Sequence, residues 1–188
     1  QFEAIESCIS EGSKTLLVQK TGWGKSAVYF VAAKYLLEKR NKMTVIVSPL
    51  LSLTRNQILS AKNLLNIETI NSAEDLERIR NTEKKIIENK VDILIVTPER
   101  FSNQKFKEEH YPLIKQNLGL LVVDEAHCVS SWGHDFRPSY MMMVKKVIPE
   151  LNKDTSVLFT TATASSKVIE DISEKNNLSK TIKGDLLR

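Results

Sequence analysis

The chain has 188 residues, enough for one well-cored domain, and its 41% hydrophobic and 27% charged residues are ordinary for a soluble globular protein. No stretch approaches the about 20 consecutive apolar residues that a membrane span requires, and no signal-peptide pattern is present, so a cytoplasmic setting with no membrane partner is the default. A net charge of +4 and a pI near 9.0 permit nucleic-acid binding without arguing for it, while two distant cysteines, Cys8 and Cys128, exclude a disulfide framework and a zinc knuckle.

In chain order, Phe2, Ile5, Cys8 and Ile9 recur at helical spacing and predict a packed first helix, with Gly12 ending the run. Thr15 to Lys20 is a short apolar strand that runs into TGWGKS, Thr21 to Ser26, and then into a helical pattern reaching about Arg40. Strand, glycine loop, Lys-Ser and helix form a phosphate-binding arrangement for ATP. Gly22 and Gly24 turn backbone amides toward the phosphates, Lys25 reaches the β and γ groups, and the Ser26 hydroxyl completes the shell of a Mg²⁺ ion. Thr21 and Trp23 lie in the same loop. Trp23 suits either an exposed lid over the phosphates or a contact to another domain, and Gln19 stands where the strict pattern has Gly.

Met43 to Ser48 predicts a second buried strand. From Pro49 to Gln57 a helix start offers free amides, and Arg55 and Asn56 add a charge and an amide that suit a DNA phosphate. Leu50, Leu51, Leu53 and Ile58 equally suit packing of that helix on the sheet. Ile67 to Ile70 looks like a short strand, Glu74 to Lys90 an amphipathic helix with a solvated charged face, and Asp92 to Thr97 a further buried strand. After it, Thr97 and Arg100 suit a phosphate contact, and Glu99 and Arg100 suit local capping and pairing. Residues 102 to 117 carry little signal.

The stretch LLVVDEAHCVSSWGHDFRPSY, Leu120 to Tyr140, organises the rest. Its apolar run delivers Asp124 and Glu125 to the C-terminal edge of a buried strand, where ligands bind in open α/β sheets. An Asp there can hold hydrated Mg²⁺ beside nucleotide phosphates, and a neighbouring Glu can orient or deprotonate the attacking water. The loop that follows holds His127, Trp132, His134, Phe136, Arg137 and Tyr140 around Gly133 and Pro138, a set able to stack on bases and report to phosphates. Core packing of the aromatics is the simpler alternative. The spacing of His127, Cys128 and His134 argues against a metal centre. Met141 to Ile148 then reads as a helix with Pro149 near its end, and Ser156 to Thr161 as another buried strand continued by TTATAS.

DEAH followed by CVSSWGHDFRPSY resembles motif II and the aromatic-rich loop of RecQ-family DNA helicases, at almost every position from Asp124 to Tyr140. The resemblance implies a catalytic set of Lys25, Asp124, Glu125 and His127. It also implies that Trp132, Phe136 and Arg137 couple single-stranded DNA binding to ATP hydrolysis. SPLLSLTRNQ, with Arg55, and TPERF, with Arg100, are similar to elements that line the family's DNA channel. Thr161, Ala162 and Thr163 match the S/T-A-T motif, whose hydroxyls bond the DEAH carboxylates. Gln1 matches the family's adenine-reading Gln.

Five clear apolar runs alternating with helices, and a possible sixth at Ile67 to Ile70, predict a mostly parallel α/β sheet flanked by helices on both faces. With the motif order this is a RecA-like P-loop NTPase domain over residues 1 to 178, N-terminally clipped. Residues 179 to 188 read as the start of a linker to a second RecA-like domain of the same polypeptide, which the resemblance expects to bring an arginine finger. The partner implied is DNA, single-stranded or with a single-stranded tail. Another superfamily 2 nucleic-acid-dependent ATPase, an RNA helicase or a DNA translocase, would share the phosphate loop and acid pair without needing the aromatic loop.

Overall fold

A computed structural model describes residues 1–49, 58–61, 63–71 and 74–184. The predicted helix start at 50–57, with Arg55 and Asn56, lies outside the described residues. The strand runs all appear: β1 Lys14–Val18, β2 Met43–Val47, β3 Ile67–Ile70, β4 Ile93–Val96, β5 Leu118–Val123 and β6 Ser156–Thr161. They pair in the order β3-β4-β2-β5-β6-β1, every pair parallel. The runs are nearly uninterrupted in apolar character because helices cover both faces of the sheet.

Alternation along each strand divides the core in two. Leu121 and Val123 of β5 join Val45, Val47 and Phe159 in one cluster, with Ile114, Tyr140, Met143 and Ile172 from the covering helices. Leu120 and Val122 join Ile46, Leu17 and Leu158 in the other, under Ala4 and Cys8 of α1 Phe2–Ile9 and Val28, Ala32 and Leu36 of α2 Lys25–Arg40. Helix starts carry their expected signals. Asp75 accepts a hydrogen bond from the Arg78 amide at 2.8 Å at the head of α3 Leu76–Ile87. Pro138 opens α5 Pro138–Lys146 at the position where its missing N–H costs nothing. The helix α4 Tyr111–Asn117 and the helix α6 Ser166–Asn176 complete the cover.

Two regions differ from the sequence reading. Lys180–Lys183, read as the start of a linker, forms a seventh strand, β7, beside β1 at the sheet edge. Its KTIK sequence has one apolar residue and so no detectable run, while its lysines suit an edge that must not pair with another chain. Residues Phe106–His110, within the stretch that carried little signal, form a π-helical turn ahead of α4.

A parallel sheet puts every strand's C-terminal end on one side. The loop after β1, Ser48 after β2, Asp124 after β5 and Thr161 at the end of β6 therefore share one edge.

Candidate active site

The phosphate-loop glycines adopt the backbone their role requires, with φ of +84° at Gly22 and +96° at Gly24. No heavy atom lies within 4 Å of a Cβ built on Gly22, whereas one on Gly24 would meet Gln1 Nε2 at 2.6 Å. Gln1 is held there by donating from Nε2 to the Trp23 carbonyl at 2.8 Å, so its amide is engaged with the loop backbone. Trp23 is partly buried and packs against the α1/α2 cluster, which makes it a wall of the loop rather than a free lid. Lys25 donates to the carbonyls of Gln19 at 2.6 Å and Lys20 at 3.2 Å. Burial lowers its pKa, against the opposing pull of the Asp124 and Glu125 carboxylates. Thr21 is exposed at the loop tip, and Ser26 sits half-buried in the first turn of α2.

Asp124 is the most constrained side chain of the site. The register pairs Val123 with Phe159, so the next step sets Asp124 beside Thr160. Thr160 Oγ1 donates to Asp124 Oδ1 at 2.8 Å and Ser48 Oγ to Oδ2 at 3.4 Å. Its main-chain carbonyl accepts from the hydroxyl of fully buried Tyr140 at 2.8 Å. The next residue, Glu125, takes the left-handed conformation, φ 54° and ψ 45°. For a non-glycine residue this is a strained turn of the kind that clusters at functional sites. Burial first, and then the neighbouring Asp124, raise the Glu125 pKa.

His127 connects this acid pair to β6. Its Nδ1 lies 2.9 Å from Thr161 Oγ1 and 3.2 Å from a Glu125 carboxylate oxygen. Thr161 gives its one hydroxyl hydrogen to the Thr163 carbonyl at 3.0 Å, so it can only accept from the imidazole. Nδ1 therefore carries the proton, and Nε2 keeps the lone pair. Burial lowers the His127 pKa, with His134 adding to the effect. The resemblance expected Thr161 and Thr163 on the DEAH carboxylates. Instead Thr160 reaches the carboxylate, Thr161 reaches the imidazole, and Thr163 contributes its carbonyl.

The loop after the acid pair is tied to itself. Arg137 N donates to the Cys128 carbonyl at 3.0 Å, and the Arg137 guanidinium grips Asp135 through Nη2 at 3.1 Å and Nε at 3.4 Å. Gly133 is required by close approach, since a Cβ there would lie 2.8 Å from the His127 carbonyl. Trp132 is 66% exposed and Phe136 40%, so neither is core. The Lys167 ammonium stands 5.0 Å from the centre of the Trp132 ring.

Arg100 is not brought to this face as a free cation. It donates to the buried Glu83 carboxylate at 3.4 Å, which also receives Lys105 at 2.9 Å, and it stands 5.7 Å from the Phe106 ring centre. Sequence reasoning missed Thr160 and Ser48, and it read Tyr140 as one of the stacking rings of the loop, whereas the structure buries it with its hydroxyl on the Asp124 carbonyl. For Thr160 the available signal was the register of β6 against β5.

A family model described as DEAD/DEAH box helicase matches residues 1–172. The chain is 35% identical over 172 residues to ATP-dependent DNA helicase Q-like 5 of Arabidopsis thaliana, covering 92% of this chain and 18% of that protein. It is 32% identical over 182 residues to ATP-dependent DNA helicase RecQ of Haemophilus influenzae, covering 95% and 27%. With ATP-dependent helicase SGS1 of Saccharomyces cerevisiae it shares 35% over 178 residues, covering 92% and 12%. The chain thus spans between 12% and 27% of the length of these three relatives. Among solved structures, the Pyrococcus furiosus Hef helicase domain superposes with a TM-score of 0.71 at 17% identity, covering 97% of this chain and 36% of that one. The DEAD-box helicase Mss116 bound to ssRNA and UDP-BeF superposes with 0.76 at 18% identity, covering 99% and 39%. At those identities the match establishes the RecA-like fold alone. Among the described residues, no helix is long and apolar enough to cross a membrane.

Proposed function

The chain belongs to the DEAD/DEAH box helicase family, and from that premise we propose that it is the ATP-binding motor domain of a RecQ-like DNA helicase. One observation carries the reading most. The strand that delivers Asp124 and Glu125 continues within a few residues into a loop whose Trp132 and Phe136 rings face solvent.

In this reading the glycine loop, residues 21–26, cradles the ATP phosphates with its amides, and Lys25 supplies the charge that meets the β and γ groups. The donor set offered by the two motifs, the Asp124 carboxylate and the Ser26 hydroxyl, fits a hard divalent cation, because both offer oxygen and Asp124 is held by Thr160 and Ser48. Asp124 and Ser26 would hold Mg²⁺, which when bound supplies neutralisation of phosphate charge. Glu125 orients the attacking water and takes its proton. Its raised pKa makes it a better base than an ordinary surface carboxylate. Gln1, anchored on the Trp23 carbonyl, presents its amide beside the loop for the adenine edge.

Coupling runs through His127. Its Nδ1 proton joins Glu125 to Thr161, so a shift of β6's C-terminal end moves the hydrogen bond that orients the base. Bases of single-stranded DNA stack on Trp132 and Phe136, and displacement of the loop draws on Arg137, which is fastened to Cys128 and Asp135. A second RecA-like domain of the same polypeptide supplies an arginine finger and the rest of the DNA track. Translocation and unwinding are properties of that intact protein.

The test is ATP turnover by the intact protein with single-stranded DNA and with single-stranded RNA of the same sequence. Stimulation by DNA and little by RNA is the expected outcome. Equal or stronger stimulation by RNA would assign the chain to another class of nucleic-acid motor.

A further inference from the structure

We propose that His127, Cys128 and Asp135 form a binding site for a thiophilic divalent transition-metal ion of the Zn²⁺ class, separate from the oxygen-lined edge that suits Mg²⁺. An imidazole nitrogen of His127, the Cys128 sulfur and an Asp135 carboxylate oxygen all lie within 4.8 Å of one another. The sequence spacing that disfavoured a metal centre considered His134, whereas the third ligand is its neighbour. The loop folds back so that Asp135 faces the thiol, and His134 instead stacks on His127, with ring centres 5.2 Å apart.

Three features make the cluster a site rather than a coincidence of types. The ligands are nitrogen, sulfur and oxygen, the set that tetrahedral Zn²⁺ takes and Mg²⁺ does not. The Cys128 sulfur and Asp135 Oδ2 are 3.7 Å apart. Metal–sulfur and metal–oxygen bonds of about 2.3 and 2.0 Å at a tetrahedral angle span roughly 3.5 Å, so this pair already has the separation a bound ion needs. The widest pair, at no more than 4.8 Å, must close by at most roughly 1.5 Å. Finally, the imidazole is prepared. Its Nδ1 proton is committed to Thr161 and Glu125, which leaves the Nε2 lone pair to donate, and a histidine ligand backed by a carboxylate is the usual outer support of zinc sites. On binding, the metal–sulfur bond replaces the S–H bond, and the thiol proton passes to solvent with no change of oxidation state. A water completes the fourth position. The ion would join the start of the aromatic loop, at His127 and Cys128, to its far arm at Asp135.

Titration of the 188-residue chain with Co²⁺ tests the site without reference to turnover. The expected result is one equivalent bound with a thiolate-to-cobalt charge-transfer band and a tetrahedral d–d spectrum, both abolished by Zn²⁺ and untouched by millimolar Mg²⁺. Cys128→Ser removes the charge-transfer band, Asp135→Asn weakens binding at least tenfold, and Cys8→Ser changes neither. Circular dichroism establishes that each variant is folded. Absence of a charge-transfer band in the wild-type chain overturns the proposal, and so does a band that survives Cys128→Ser or vanishes with Cys8→Ser. Should Cys128→Ser fail to fold, the Asp135→Asn affinity decides alone, and unchanged affinity there is equally fatal.

Discussion

Replacing Trp132 by Ala separates the two jobs an aromatic side chain can do in this loop. The ring is 66% exposed, so about a third of its surface is covered. For a side chain of about 250 Å², that covered third at about 25 cal/mol per Å² amounts to at most about 2 kcal/mol of stability. Compactness of the unfolded chain lowers this further. A fully buried ring would cost about 3–5 kcal/mol. Against this stands the loss of one stacked base, about 1–3 kcal/mol, which is roughly a 5- to 150-fold weakening of single-stranded DNA binding. The assays are urea melts of the 188-residue chain, anisotropy titration of single-stranded DNA, and ATP turnover with and without DNA in the intact protein. The variant should melt close to wild type, keep its basal turnover, lose stimulation by DNA and fail to unwind. A stability loss above about 3 kcal/mol with normal stimulation would return Trp132 to the core and remove its part in coupling.

Glu125→Gln should retain nucleotide binding and lose hydrolysis. Because the folded pKa of Glu125 is raised, its ionised form opposes folding once the pH exceeds that pKa; the variant should therefore melt above wild type near neutrality, and the advantage should vanish below the ordinary carboxylate value of 4.5. A melting advantage that grew as the pH fell would reverse the assignment. Thr161→Val removes the acceptor of the His127 proton and the donor to the Thr163 carbonyl; a loss of about 1–3 kcal/mol is expected, together with slower turnover at unchanged nucleotide affinity. Arg100→Ala should cost about 1–3 kcal/mol because buried Glu83 loses a partner, and a stable variant with weakened DNA binding would instead restore Arg100 to the DNA surface. Residues 1–188 alone should turn over ATP at least about 10³-fold more slowly than the intact protein, since an arginine finger is worth that much, and comparable rates in a side-by-side assay would show that none is needed.

What could be read in the sequence is what repeats with a short period or sits at fixed spacing. The apolar runs of β1, β2, β4, β5 and β6 stand out because strands covered on both faces need no alternation. TGWGKS and DEAH stand out because phosphate binding needs consecutive residues. Contacts set by register between distant strands do not announce themselves. In SVLFTT and TTAT, three threonines compete for the acid pair, and only the pairing of Phe159 with Val123 puts Thr160 beside Asp124. Asp135 as the partner of Cys128 depends on a fold-back of the loop that no periodicity encodes. The strand Lys180–Lys183 hides for the opposite reason, since an edge strand is sparing with apolar residues. Trp23 suits a lid or an interdomain contact in one dimension, and its packing against the cluster beneath α1 and α2 is visible only in the fold.

The hydrogen bond from Tyr140 to the Asp124 carbonyl gives the aromatic loop a hinge post at its base. The loop leaves that post through Glu125 and returns to it at Tyr140, so the ends of a 16-residue excursion meet at one peptide group. Residues 131–136 form the far part of that excursion, and Asp135 among them reaches back far enough for its charge to add to burial and Asp124 in raising the Glu125 pKa. Exposed Trp132 and Phe136 can be exchanged without touching the buried Tyr140 that fixes the Asp124 peptide.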